Sequence, residues 1–222
     1  MSLRIGEPLK ELSVLDLGLL DYGEVLGIQQ DIVEKKIEEK FEQDILILVE
    51  HPAVFTLGKR GGRENLMVRD SFLEAKNIGV IPTTRGGNIT FHGPGQLVLY
   101  PIIDLSKAKI GVADFVNGLE GIMIKVCSDF NIMAERNVKN HGIWANGRKI
   151  GSVGLAIKHG ISFHGLALNV NIDLEPFSWI NPCGIKDLFM TSIKQELNKT
   201  IDFEKVKKSM IRHWEGFTGR SL

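Results

Sequence analysis

Cys183 stands in Asn181-Pro182-Cys183-Gly184-Ile185, where proline and glycine mark a loop rather than a helix or strand. A thiol presented on a loop is accessible to another molecule, and it becomes a nucleophile when a nearby base or cation lowers its pKa. The groups able to do this are His92, His141, Lys149, His159 and His164. Counting alternate residues back from Ile157, Leu155, Val153 and Gly151 places Lys149 on an apolar face. Desolvation there disfavours the ammonium and makes the amine a proton acceptor. The competing expectation is a hairpin lysine whose head extends to water. His164 reads as a hydrogen-bonded core histidine, His141 and His159 as turn residues. Cys127, on an apolar helical stripe, reads as a small core residue.

A second chemical feature is Arg85-Gly86-Gly87-Asn88-Ile89-Thr90-Phe91-His92-Gly93-Pro94-Gly95-Gln96. Its glycines strip the backbone of side chains where the chain must bend or a ligand must come close. A fixed cation, Arg85, and a titratable imidazole, His92, flank that backbone. The plainer alternative is a glycine turn with a surface arginine and a core histidine.

These residues need elements to hold them. An apolar run over residues 78–81 and a β-branched, aromatic run over 97–105 predict strands on either side of the glycine stretch. Upstream, 12–17 predicts a strand and 21–41 an amphipathic helix whose charged run, 34–40, forms its solvated side. The unbroken apolar run over 44–50 predicts a strand covered on both faces. A short strand follows within 51–58, then a basic loop, Lys59-Arg60-Gly61-Gly62-Arg63, then a short helix over 71–76. Helical spacing spans 112–130. Asn146-Gly147 between apolar runs predicts a β-hairpin, and a second turn at 158–160 leads to a strand over 161–172. On that last strand Gly165, Ala167, Asn169 and Asn171 share a face that suits a cavity wall, or close packing on a helix. The irregular stretch 176–184 predicts a seam between a large lobe (about 1–173) and a small one (about 174–222) within one domain. A helix over 203–217 closes the chain.

Bulk composition narrows the class. The 222 residues are 43% hydrophobic, and 27 basic residues balance 27 acidic ones, which argues against a nucleic-acid surface. Glycine, 24 residues, is high with no repeat to explain it, which assigns the excess to turns and ligand-facing backbone. Two cysteines make neither a disulfide framework nor a zinc cluster. No metal-ligand spacing or phosphate-binding loop occurs. Residues 1–10 lack a targeting pattern and no run reaches membrane-spanning length, so a cytoplasmic protein with no membrane or nucleic-acid partner is expected.

Four blocks in order, residues 85–102, 147–154, 162–171 and 181–184, closely resemble the signature of the lipoyl(octanoyl) transferases. The resemblance implies an α/β fold shared with biotin and lipoate protein ligases, a mixed sheet flanked by helices with a small C-terminal lobe. It implies transfer of an octanoyl (or lipoyl) group from acyl carrier protein to a lysine of a lipoyl domain, with no cofactor. Acceptors implied are the lipoyl domains of 2-oxoacid dehydrogenase E2 subunits and the glycine cleavage H protein. Cys183 would carry the acyl thioester and Lys149 would lower its pKa. Substrate contacts would fall on Arg85, Gly86, Gly87, Asn88, Ile89, Thr90, Phe91 and His92, on Ser152, Val153 and Gly154, and on Gly165, Leu166 and Ala167. About six buried methylenes at roughly 0.8 kcal/mol each would contribute roughly 5 kcal/mol to holding the tail. The rival readings are an ATP-dependent lipoate or biotin protein ligase on the same fold, and a non-catalytic carrier-binding module docked through residues 59–63.

Overall fold

The structure, a computed structural model, describes residues 12–137, 140–185 and 188–218, with the side chains of Leu12 and Cys183 outside that description. The N-terminal residues 1–10 considered above lie outside the described residues. In chain order the elements are β1 (Leu12–Leu19), α1 (Tyr22–Ile37), β2 (Asp44–Glu50), β3 (Val54–Leu57), α2 (Asp70–Ala75), β4 (Gly79–Pro82), β5 (Thr90–His92), β6 (Gln96–Ile102), α3 (Leu105–Ala108), α4 (Val112–Asp129), β7 (Glu135–Asn137), β8 (Asn140–Ala145), β9 (Arg148–Lys158), β10 (Ile161–Asn169), α5 (Ile193–Leu197) and α6 (Phe203–Thr218). The described strands form two sheets, one ordered β1-β2-β6-β10-β9-β8-β7 and one ordered β4-β3-β5.

β2 shows why its sequence is apolar throughout. Ile45, Ile47 and Val49 pack with Val25, Ile32 and Val33 of α1, while Leu46 and Leu48 pack with Phe115, Leu119 and Met123 of α4. With period-two side chains and helices on both faces, every position from Asp44 to Val49 is buried. α1 begins where the Asp21 carboxylate accepts from the Gly23 and Glu24 amides at 2.7 and 3.2 Å. It stops at Ile37, four residues short of expectation. Lys36 turns inward there and donates to Glu42 O (3.1 Å), Gln43 O (2.6 Å) and Asp44 Oδ1 (3.1 Å). The chain must fold back over that buried ammonium, so the expected run of solvated charge holds only around it.

Both hairpins form on left-handed turn pairs: Asn146 and Gly147 at φ 50° and 73°, His159 and Gly160 at φ 49° and 83°. β10 ends at Asn169, and Ile172 joins a third cluster with Phe55, Phe91 and Phe177 beneath the small sheet. α6 packs Val206, Met210 and Trp214 into the main core with α4, so the boundary expected near residue 174 separates segments that share one core. Among the described residues no helix is long and apolar enough to cross a membrane.

Candidate active site

The glycine stretch crosses from the small sheet to the large one. β8 pairs with β9 only as far as Gly142 opposite Ser152, which leaves the next part of that β9 edge open. Gly86 N–H takes it, donating to Leu155 O at 2.8 Å. On its other side the loop is zipped to the turn after β3, with Lys59 N–H donating to Arg85 O (2.9 Å) and Arg60 N–H to Gly87 O (3.0 Å). A Cβ on Gly58 would stand 2.3 Å from Gly87 O, and one on Gly154 would stand 3.2 Å from Gly86 O. The glycines are therefore needed for the backbone to lie flat against its neighbours.

Arg85, expected at the flank of this loop, is buried. Its Nε and Nη2 donate to Thr56 Oγ1 (3.1 and 2.9 Å), Nη2 also to Thr56 O (2.6 Å), and Nη1 to Gly86 O (3.0 Å). Beside it lies a cluster gathered from across the chain: Tyr22, His51, His92, Tyr100 and His164. His51 Nδ1 must donate to Leu20 O (2.8 Å), so in the neutral ring Nε2 accepts from Tyr100 OH (2.8 Å). His92 Nδ1 stands 2.6 Å from Gln96 Oε1, and Gln96 Nε2 donates to Asn169 Oδ1 at 2.9 Å. His164, at φ 54°, stands between Tyr22 OH (3.5 Å) and Thr84 Oγ1 (3.2 Å). Burial pulls His51 down to about 4. Burial first, then neighbouring charge including Arg85, pulls His92 and His164 down to about 3. All three imidazoles are neutral at physiological pH, so Arg85 is the cation this cluster faces.

Lys149 departs from expectation. β9 carries one extra residue, Ile150, between the pairs Gly151–Ile143 and Lys149–Trp144, so strict alternation from Gly151 fails. The ammonium lies over the Trp144 ring, 4.9 Å from its centroid, and donates to Asn140 Oδ1 (3.0 Å) and His141 O (2.8 Å). Its surroundings are a polar cradle with one aromatic wall rather than an apolar face. The residue is 1% exposed, so it does not reach out to water either.

The Cys183 loop is a single tight turn, Pro182–Gly184, with Gly184 at φ 72°. The thiol itself lies outside the described side chains. Its loop is tied at its start and closely flanked at its end. Asn181 N–H donates to Asn65 O (2.8 Å), and a Cβ on Gly184 would stand 3.4 Å from Asn88 Nδ2. Farther on, Phe189 O accepts from Lys149 N–H and Lys149 O from Thr191 N–H, both at 2.9 Å. Glu196 fixes this return, accepting from Asn146 Nδ2 (2.7 Å), Arg148 Nη2 (2.9 Å) and Thr191 Oγ1 (2.5 Å).

These elements enclose a cavity of about 530 Å³, within the range of small-molecule sites. Lys149, Arg85 to Thr90, His92, Ser152 to Gly154 and Gly165 to Ala167 all line it. Phe91 does not. β5 turns Thr90 and His92 toward the cavity and Phe91 away, into the core with Phe55 and Phe177. Ile185 also lines it, which brings the Cys183 loop to the same cavity. Val98, Val112, Val116 and Leu155 add apolar wall that the sequence did not flag, and Tyr22, Tyr100 and Asn140 add polar groups. His164, expected in the core, is buried and also lines the cavity. Cys127 is fully buried as expected, which pushes its thiol up to about 12.

The mixed sheet flanked by helices is a fold shared with lipoate and biotin protein ligases. The bipartite lipoate protein ligase of Thermoplasma acidophilum superposes at TM-score 0.69 with 14% identity, over 97% of this chain and 86% of that one. Biotin protein ligase from Aquifex aeolicus superposes at 0.50 with 13% identity, over 96% and 72%. Residues 21–215 match the lipoyl protein ligase A/B catalytic domain. The octanoyltransferase of Desulfotalea psychrophila is 47% identical over 200 residues, 89% of this chain and 90% of its own length. The chain belongs to the lipoyl protein ligase A/B family and, within it, to the octanoyltransferases.

Proposed function

We propose that this chain moves an octanoyl group from the phosphopantetheine thiol of acyl carrier protein to a lysine of a lipoyl domain, through a thioester on Cys183. The observation that carries the reading is the pairing of the Lys149 backbone with residues 189–191, which returns the Cys183 loop to the cavity that holds the Lys149 ammonium. Cys183 thiolate attacks the donor carbonyl; the tetrahedral adduct expels the phosphopantetheine thiolate, which takes a proton from Lys149. The substrate amine then attacks the enzyme thioester, gives its proton back to Lys149, and the Cys183 thiolate leaves as the amide forms. The acyl tail lies in the slot walled by Val98, Val153, Leu155, Leu166 and Ala167.

Because the donor is already a thioester, the reaction consumes no ATP and needs no cofactor. The archaeal ligase described with its E2 lipoyl domain supports acceptors of that type. We extend this to the lipoyl domains of 2-oxoacid dehydrogenase E2 subunits and the glycine cleavage H protein, in the cytoplasm. The test is transfer without ATP: octanoyl carrier protein, a lipoyl domain and the enzyme should give a lipoyl domain heavier by one octanoyl group. Cys183→Ala should abolish it. Activity that requires ATP and survives Cys183→Ala would establish a ligase instead.

A further inference from the structure

Glu120 lies outside the cavity lining, on α4, and only 3% of it is exposed. Such a carboxylate is costly to bury without strong partners. It has three. Oε2 accepts from Arg136 Nε at 3.1 Å, Oε1 accepts from Gly142 N–H at 2.8 Å, and His141 Nδ1 stands 3.5 Å from Oε1. Arg136 also donates through Nη2 to Asn117 O at 2.8 Å, which braces the arrangement against α4.

The peptide unit joining His141 to Gly142 has its two polar ends engaged by two charges. Its N–H is donated to Glu120, and its carbonyl accepts from Lys149 Nζ at 2.8 Å. A carboxylate on the N–H side polarises the amide and makes its oxygen a better acceptor for an ammonium. The unit also sits where only glycine fits. Gly142 has φ 124°, and a Cβ there would stand 2.3 Å from Gly151 O and 2.9 Å from Lys149 Cε. With no side chain at 142 to fix this bend by packing, the Glu120 bond fixes it by direction.

We infer that Glu120 is a positioning residue for the transfer reaction, aiming the His141 carbonyl and the Asn140 amide at Lys149 through the 141–142 peptide. It touches neither substrate nor the reacting atoms. The inference rests on the roles proposed above for Lys149 and Cys183.

The test is a double-mutant cycle read by alkylation of Cys183 with iodoacetamide, which needs no acyl donor. Wild type against Lys149→Ala tests the proposed roles: without a difference there, that reading fails before Glu120 is considered. Given a difference, Glu120→Ala should slow labelling roughly tenfold, the scale of one charge-assisted hydrogen bond. On the Lys149→Ala background the same change should have less than about a twofold effect. Glu120→Gln, whose amide oxygen can still accept from Gly142 but carries no charge, should recover part of the rate. In turnover, Glu120→Ala should lower kcat and leave the donor KM unchanged. Equal slowing with and without Lys149, or no slowing at all, would overturn the inference. If melting curves show Glu120→Ala unfolded, Glu120→Asp, which keeps the charge and withdraws the acceptor by one carbon, enters the same cycle with the same two outcomes.

Discussion

Lys149 and Met190 face each other across a parallel backbone bridge, with Lys149 N–H bonded to Phe189 O and Lys149 O to Thr191 N–H. Side chain and main chain of one residue thus face different tasks. The ammonium is held at the cavity by β8, and the backbone anchors the chain that returns from Cys183. Substituting the side chain should therefore remove chemistry and leave the loop in place.

Lys149→Met keeps the length and removes the charge. We expect kcat to fall by roughly 10²–10⁴-fold, the range for a general acid–base group. The Asn140 and His141 acceptors lose a donor, which costs about 1–3 kcal/mol of stability. Steady-state kinetics and a urea titration read the two effects. An unchanged kcat contradicts the role.

Glycine substitutions should separate two uses of the residue. A Cβ on Gly165 would stand 2.0 Å from Leu99 O of the neighbouring strand, so Gly165→Ala must part β6 from β10 and costs about 1–3 kcal/mol or more. Gly27, exposed in α1 with nothing within 4 Å, should gain about 0.5–1 kcal/mol as Ala. Melting temperatures that move in the same direction for both would contradict this packing.

The buried histidines predict acid sensitivity. In the unfolded chain each takes a proton near pH 6.5, whereas the folded state holds His51 at about 4 and His92 and His164 at about 3. Between those limits the unfolded chain binds more protons, so stability rises with pH up to about 6.5 and is flat above. Going down, it is lost from pH 6.5 toward 3–4, by at most about 1.4 kcal/mol per unit for each histidine. Unfolding free energies at pH 7, 6 and 5 should fall in that order, and His164→Gln should reduce the slope. Equal values at pH 7 and 5 contradict the burial.

Much of this site was legible because local rules were obeyed. Asn146-Gly147 turns as a hairpin, and the glycine stretch meets backbone on both sides. Phe91 follows from alternation rather than from the block it belongs to: a three-residue strand turns its middle side chain away from its neighbours, here into the core. The Ile150 bulge is different, since one extra residue reverses the face of Lys149 and no local pattern announces it. His164 stands out in the sequence as a candidate base and a core histidine, but its grouping with Tyr22 and Tyr100 is not legible there, because only sheet order brings β6 and β10 together beneath α1. The burial of Lys36 is not legible, because a buried ammonium looks, in sequence, like any other member of a charged run.

The two cysteines should differ sharply toward alkylating reagents. Cys127 is fully buried and burial raises its thiol to about 12, so native protein at pH 8 should label only at Cys183. Peptide mapping reads the site, and modification of Cys127 without unfolding contradicts the core packing of α4.

Intact-mass spectrometry of the enzyme mixed with octanoyl carrier protein, with no acceptor present, bears most directly on the Cys183–Lys149 pair. A mass gain of one octanoyl group, mapped to Cys183 and absent in Cys183→Ser, is predicted. No gain, or a gain mapped to another residue, would contradict a transfer carried by the cavity that Lys149 and the Cys183 loop share.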